Sequence, residues 1–160
     1  MHGGVHIRPI RPEDREALAV AHARLSPESV RRRYLSPKPH LSRRELAYLT
    51  DVDGRDHVAC VAVDGETIVG VARWVRLADD PAAAEAAVIV ADAYQGRGLG
   101  HRLGAALADA ARERGIERFT AVLLADNVAA HRLFRSISRR LDSRHEGGLR
   151  ELVAELPAAA

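Results

Sequence analysis

The run Val88-Ile89-Val90-Ala91-Asp92-Ala93-Tyr94-Gln95-Gly96-Arg97-Gly98-Leu99-Gly100 constrains this chain more than any other segment. An apolar stretch ends in a turn with glycine at alternate positions, and an amphipathic segment follows at once. A strand, a glycine turn and a helix in that order form an anion site. The N–H groups of a helix's first turn lack intrahelical acceptors, and the helix dipole adds positive potential there. Glycine lets the backbone approach a ligand that side chains would hold away. A phosphorylated ligand is the expectation.

Spacing narrows the choice. A P-loop requires G-x-x-x-x-G-K-[ST], yet His101 and Arg102 follow Gly100, so the Lys-Ser/Thr pair is missing. A Rossmann turn requires G-x-G-x-x-G. Counted from Gly96 the third glycine position is His101, and counted from Gly98 it is Leu103. The turn also lies past mid-chain, with too little sequence behind it for a second βαβ half.

What remains is Q-x-x-G-x-G, standing as Gln95-Gly96-Arg97-Gly98-Leu99-Gly100. This resembles the acyl-CoA pyrophosphate loop of the GNAT family, the Gcn5-related N-acetyltransferases. The resemblance runs from about Val5 to Leu156. The segments Ile7–Asp14, Arg24–Ser29 and Glu85–Gly100 resemble the bacterial Pat-type protein lysine acetyltransferase domain.

At 160 residues a single domain over 1–160 is expected. No apolar run reaches the roughly 18–20 residues that span a bilayer, and no signal-peptide core follows Met1-His2-Gly3-Gly4, so a cytoplasmic protein without a membrane partner is expected. Cys60 is the only cysteine and sits in an apolar run, which excludes an internal disulfide and reads as core. The eight histidines show neither H-x-x-x-H nor H-E-x-x-H, so no metal is expected. A net charge of +2 does not indicate a nucleic-acid binder. No G-x-S-x-G elbow supports a serine nucleophile.

Along the chain, Val5–Pro9 alternates as a strand, and Pro12-Glu13-Asp14 opens a helix carrying Ala17, Leu18, Ala21 and Leu25 on one face. Ser26-Pro27 breaks it, and Ser29–Tyr34 reads as a second helix. Ser42-Arg43-Arg44-Glu45 is a capping box for a third, to about Leu49. Val58–Val63 and Thr67–Val75 flank the hairpin signal Asp64-Gly65. After a loop over Ala78–Ala83 come a strand at Glu85–Ala91, a helix from Leu99 to Gly115, a strand at Phe119–Leu124 and a helix at Asn127–Ser136. The final hairpin pairs Arg140–His145 with Leu149–Leu156. The order β-α-α(-α)-β-β-β-α-β-α-β-β is similar to the GNAT fold: a mixed α/β, mostly antiparallel sheet with helices on both faces and a central βαβ unit for acyl-CoA.

The resemblance implies acetyl-CoA as cosubstrate and assigns roles residue by residue. Backbone N–H groups of Gly96, Gly98 and Gly100 would hold the pyrophosphate, with Gln95, Leu99 and His101 in the same turn and the Arg97 side chain adding charge. Val88, Ile89 and Val90 lie on the strand that runs beside the pantetheine arm in the family, and a backbone N–H there would stabilise the oxyanion. Asn127 would contact the arm and also reads as a helix N-cap. Ala130 and Leu133 fit N-x-x-A-x-x-L and would line the channel. Phe134 departs from the family pattern, in which many relatives carry a tyrosine that protonates the leaving thiolate. A thiol of pKa about 8.5 leaves acceptably without it. Ser138-Arg139 is a second departure, where relatives often show Gly-Phe.

Glu85 is the candidate catalytic base. A lysine amine of pKa about 10.4 is neutral in under about one molecule per thousand near pH 7, and a positioned carboxylate removes that penalty. Alanines flank Glu85 on both sides and would raise its pKa if they bury it. Asp92 is the runner-up acid and reads more readily as a turn residue. Arg31-Arg32-Arg33-Tyr34 reads either as a solvated basic helix face or as a surface that attracts an acidic protein around its lysine. The expected activity is direct acetyl transfer to a protein lysine. A small-molecule amine on the same fold, or an acyl-CoA-binding module without catalysis, are the alternatives. Pat-type relatives often carry a fused regulatory domain; regulation through one is not expected within these 160 residues.

Overall fold

The computed structural model describes residues 4–158; Met1-His2-Gly3 of the leader reading and the last two residues of the 1–160 domain lie outside them. Seven strands form one sheet in the order β1-β2-β3-β4-β5-β7-β6. They are β1 (His6–Pro9), β2 (His57–Asp64), β3 (Thr67–Arg76), β4 (Ala83–Val90), β5 (Arg118–Leu124), β6 (Arg140–Glu146) and β7 (Leu149–Glu155). Five α-helices accompany them: α1 (Arg15–Ala23), α2 (Pro27–Tyr34), α3 (Arg43–Thr50), α4 (Leu99–Glu113) and α5 (Val128–Ile137). Every pairing is antiparallel except β4 with β5. The mixed, mostly antiparallel sheet and the central βαβ unit agree with the expectation.

Helices on the two faces create two apolar cores. On one face α4 and α5 pack Leu99, Leu103, Leu107, Leu133 and Phe134 against Trp74, Ala84, Ala86 and Phe119. On the other, Leu18 of α1 and Leu49 of α3 pack against Val61, Val63, Ile68 and Val71. The close approach of α4 has a sequence cause: a Cβ on Gly70 of β3 would lie 2.7 Å from Leu103 Cδ1.

Several boundaries differ from expectation. Pro12–Asp14 is a 3-10 turn ahead of α1, and α1 stops at Ala23, short of Leu25. Ser26-Pro27 starts α2 rather than only ending α1: the Ser26 side chain accepts a hydrogen bond from Ser29 N, and Pro27 occupies the first turn, where no N–H is needed. Strand β4 begins at Ala83, two residues early, because Ala83 and Ala84 are buried against the core despite their weak strand preference. The capping box at Ser42–Glu45 is present as expected. So is the final hairpin, where Ser138 is extended and Arg139 N donates to Glu155 O at 2.7 Å.

Candidate active site

Strands β4 and β5 pair only at Ala83–Arg118, Ala84–Phe119 and Glu85–Thr120. Beyond these they part, and a cavity of about 410 Å³ fills the gap. Val88, Ile89 and Val90 form one wall, Val122 and Leu123 of β5 the opposite wall. Gln95, Gly96, Gly98, Gly100 and His101 close one end, and Asn127, Ala130, Leu133 and Phe134 line it from α5.

The gap leaves backbone groups of β4 without a ladder. Ala91 N donates to Val69 O of β3 at 2.9 Å. Because backbone groups alternate sides along a strand, Val88 and Val90 direct theirs toward the missing β5 partner. Val90 O is taken by Gln95 Nε2 at 3.0 Å. The N–H groups of Val88 and Val90 then face the cavity and can stabilise a developing negative charge.

The glycines of the turn serve different ends. Gly96 and Gly98 have φ of 76° and 81°, the left-handed region in which a side chain is strained, and Gly98 is the N-cap of α4. Gly100 is helical. A Cβ there would lie 3.1 Å from Leu133 Cδ1, so its smallness serves the packing of α4 on α5 as much as any ligand. Leu99 is buried in the core, leaving only its backbone for an anion. Arg97 is exposed, its guanidinium 5.4 Å from the Tyr94 ring centroid, and does not line the cavity. His101 Nδ1 lies 2.8 Å from Ser136 Oγ on α5.

Asn127 combines its two expected placements. Its Oδ1 accepts from Ala130 N at 3.3 Å as the α5 cap, and the buried side chain faces the cavity. Phe134 is buried at the cavity wall and has no proton to give. Tyr94 is the phenol on the wall, and its hydroxyl donates to Asp64 Oδ2 at 2.5 Å. That bond, with desolvation, raises the phenol's pKa, which makes Tyr94 a poor proton donor to a departing thiolate.

Glu85 is solvent-exposed at the head of β4, so the flanking alanines do not bury it. Ala84 and Ala86 point into the α4 core. By alternation Glu85 shares the opposite face with Ala87 and Ile89, the face that α2 covers. It is not on the cavity's wall: the lining begins one residue later, at Ala86.

Two residues that sequence reasoning did not place in the site line the cavity, Ser29 and Tyr94; Asp92, the runner-up acid, does not line it but bonds to Ser29. Asp92 accepts from Ser26 N at 3.0 Å and from Ser29 Oγ at 3.2 Å, and Gln95 Nε2 donates to Ser29 Oγ at 3.2 Å. Burial alone would raise the Asp92 pKa; the bonds from Ser26 and Ser29 outweigh it and lower it. The turn residue of the sequence reading thus fastens the start of α2 to the glycine turn. Among the described residues no group of three or more His, Cys, Asp or Glu side chains is placed to hold a metal ion, and no helix is long and apolar enough to cross a membrane.

Residues 20–137 match the family model described as "Acetyltransferase (GNAT) family". The chain belongs to the GNAT acetyltransferases. It is 36% identical over 130 residues to acetyltransferase Pat of Mycolicibacterium smegmatis, covering 80% of this chain and 39% of that protein. The chain therefore spans well under half the length of that relative. The GNAT domain of S. lividans PAT superposes with a TM-score of 0.87 at 33% identity, covering 96% of this chain and 92% of that one. The yncA structure from Salmonella typhimurium, solved with its cofactor acetyl-CoA, shares the fold with a TM-score of 0.73 at 20% identity, covering 96% and 94%.

Proposed function

We propose that this acetyltransferase uses acetyl-CoA and transfers the acetyl group directly to a lysine side chain of a protein. The observation that carries the reading is the position of Glu85: an exposed carboxylate on the last rung that pairs β4 with β5, one residue before the cavity lining begins at Ala86, where solvent exposure leaves it open to an amine on another protein's surface. The likeness to Pat-type proteins supports the same acceptor.

The residues present fit acetyl-CoA. Gly96 and Gly98 adopt backbone conformations that a side chain would strain, at the start of a fifteen-residue helix whose first-turn N–H groups suit a pyrophosphate. The gap between β4 and β5 accepts an extended arm, with Asn127 and the Ala130, Leu133 and Phe134 side chains along it. Acetyl-CoA supplies an activated thioester. Glu85, directly or through water, takes the proton of the attacking amine. An N–H of Val88 or Val90 stabilises the oxyanion. With Phe134 silent and Tyr94 held by Asp64, the thiolate takes its proton from water.

Glu85→Gln tests the mechanism. At pH 7 to 8 we expect kcat to fall by roughly 10²–10⁴-fold, with acetyl-CoA still bound. A rate within a few-fold of wild type would remove Glu85 as the base. Labelled acetyl-CoA incubated with a cell lysate and with an amine panel tests the acceptor. Label entering protein supports a lysine, label entering only small amines redirects the reading to a small-molecule enzyme, and no transfer leaves a binding module.

A further inference from the structure

Arg73 lies in the middle of β3 opposite Ala87 of β4, 6% exposed, on the face covered by α1 to α3. Its Nη1 donates to Leu49 O at 3.1 Å and sits 2.8 Å from His57 Nε2. Burial pushes His57 down to about 4, so its ring is neutral and can accept that bond at physiological pH. These contacts use two of the five guanidinium N–H groups. Among the described residues no carboxylate pairs with Arg73. Buried charges are normally paired.

A small cavity of about 40 Å³ borders Arg73, and Arg33 of α2 enters it too. Arg33 lies 4.7 Å from the Tyr34 ring centroid, and among the described residues it too pairs with no carboxylate. Its neighbours do: Arg32 pairs with Glu28, and Lys38 with Glu45. Burial first, and the Arg33 charge second, bring Arg73 down to about 10. Two cations therefore border one mostly apolar space, and among the described residues neither is ion-paired. That space shares Arg33, Ala87 and Ile89 with the large cavity, and Arg73 stands diagonally across the sheet from Glu85.

We propose that Arg73 and Arg33 form a carboxylate subsite for the acyl acceptor, which in a protein substrate is an acidic side chain close to the reacting lysine. The proposal rests on the lysine acetyltransferase reading and adds a sequence preference to it. A guanidinium fork matches a carboxylate bidentately, and the apolar surroundings strengthen the contact. The anchored carboxylate would hold the acceptor on the face that carries Glu85.

Two substrate pairs test it: a peptide with one lysine flanked by glutamates against the same peptide with glutamines, and free lysine against lysine amide. Wild type should prefer the carboxylate member by about tenfold or more in kcat/KM, mainly through KM. In Arg33→Gln and Arg73→Lys that ratio should fall to within about twofold. A purely structural Arg73, serving only to hold Leu49 O at the end of α3, would change the melting temperature and leave the ratio intact. If both peptides react equally, lysine acetylation stands and the subsite falls. If neither peptide reacts, the protein-lysine reading falls and the free lysine pair decides the subsite. Equal rates within each pair, or turnover of no member, overturn it.

Discussion

Gly100→Ala separates two uses of one glycine. Gly100 is the second residue of α4, so alanine gains at most about 1 kcal/mol, the helix-interior propensity difference. Against this, the new Cβ would sit 3.1 Å from Leu133 Cδ1 and 3.9 Å from Val90 Cγ2. Leu133 must give by a few tenths of an ångström. Overpacking inside a closed core costs about 1–3 kcal/mol, but Leu133 borders the large cavity and can move into it. The stability terms should therefore nearly cancel, within about 1 kcal/mol by urea denaturation. The cost should appear instead as weaker acetyl-CoA binding, by about three- to tenfold in calorimetry, because the displaced side chain narrows the channel. Adding Leu133→Val should restore most of that affinity, with a coupling of at least about 0.5 kcal/mol. If the single variant is stabilised by the full propensity term with unchanged affinity, the Leu133 contact does not limit the site. If the double variant stays weak, Gly100 is small for the ligand's sake and the packing argument fails.

Two further outcomes follow from the geometry. Gly98→Ala forces a side chain into φ of 81° at the α4 N-cap and should cost roughly 1–2 kcal/mol; Gly98→Asn should cost less, and an equal loss in both by chemical denaturation would contradict the left-handed assignment. For His57 the folded pKa of about 4 lies below the ordinary 6.5, so the unfolded chain takes the proton first as pH falls. Its stabilising contribution is then full above pH 6.5 and is lost between 6.5 and 4. His57→Gln should flatten that part of the urea-midpoint profile, and an unchanged slope would show that His57 does not protonate on unfolding.

The most legible parts of the sequence were those where backbone geometry admits few residues. Gly96 and Gly98 marked a turn open to close approach by a ligand, and Asp64-Gly65 and the Ser42–Glu45 box marked a hairpin and a helix start because each satisfies a local requirement. Pro27 was misleading because a proline reads alike as a helix breaker and as a first-turn residue; only the Ser26 cap distinguishes them. Arg97 and Leu99 share the motif with true cavity residues, but motif spacing does not say which side chains turn inward. Arg73 left one signal: a lone charge inside the apolar run Thr67–Val75, on a central strand buried on both faces. The Asp92–Ser29–Gln95 contacts join positions more than sixty residues apart, which no local pattern encodes.

The three-residue seam between β4 and β5 has a mechanical meaning. Strands β1 to β4 and strands β5 to β7 are two half-sheets stitched at one corner, and much of the joint between them is side-chain packing by α4 and α5 rather than backbone ladder. A ligand lying in the gap touches both halves, so its binding energy acts as cross-sheet adhesion. The molecule that the protein processes would then also be part of what holds its halves together, and each turnover would briefly loosen the fold it has just tightened.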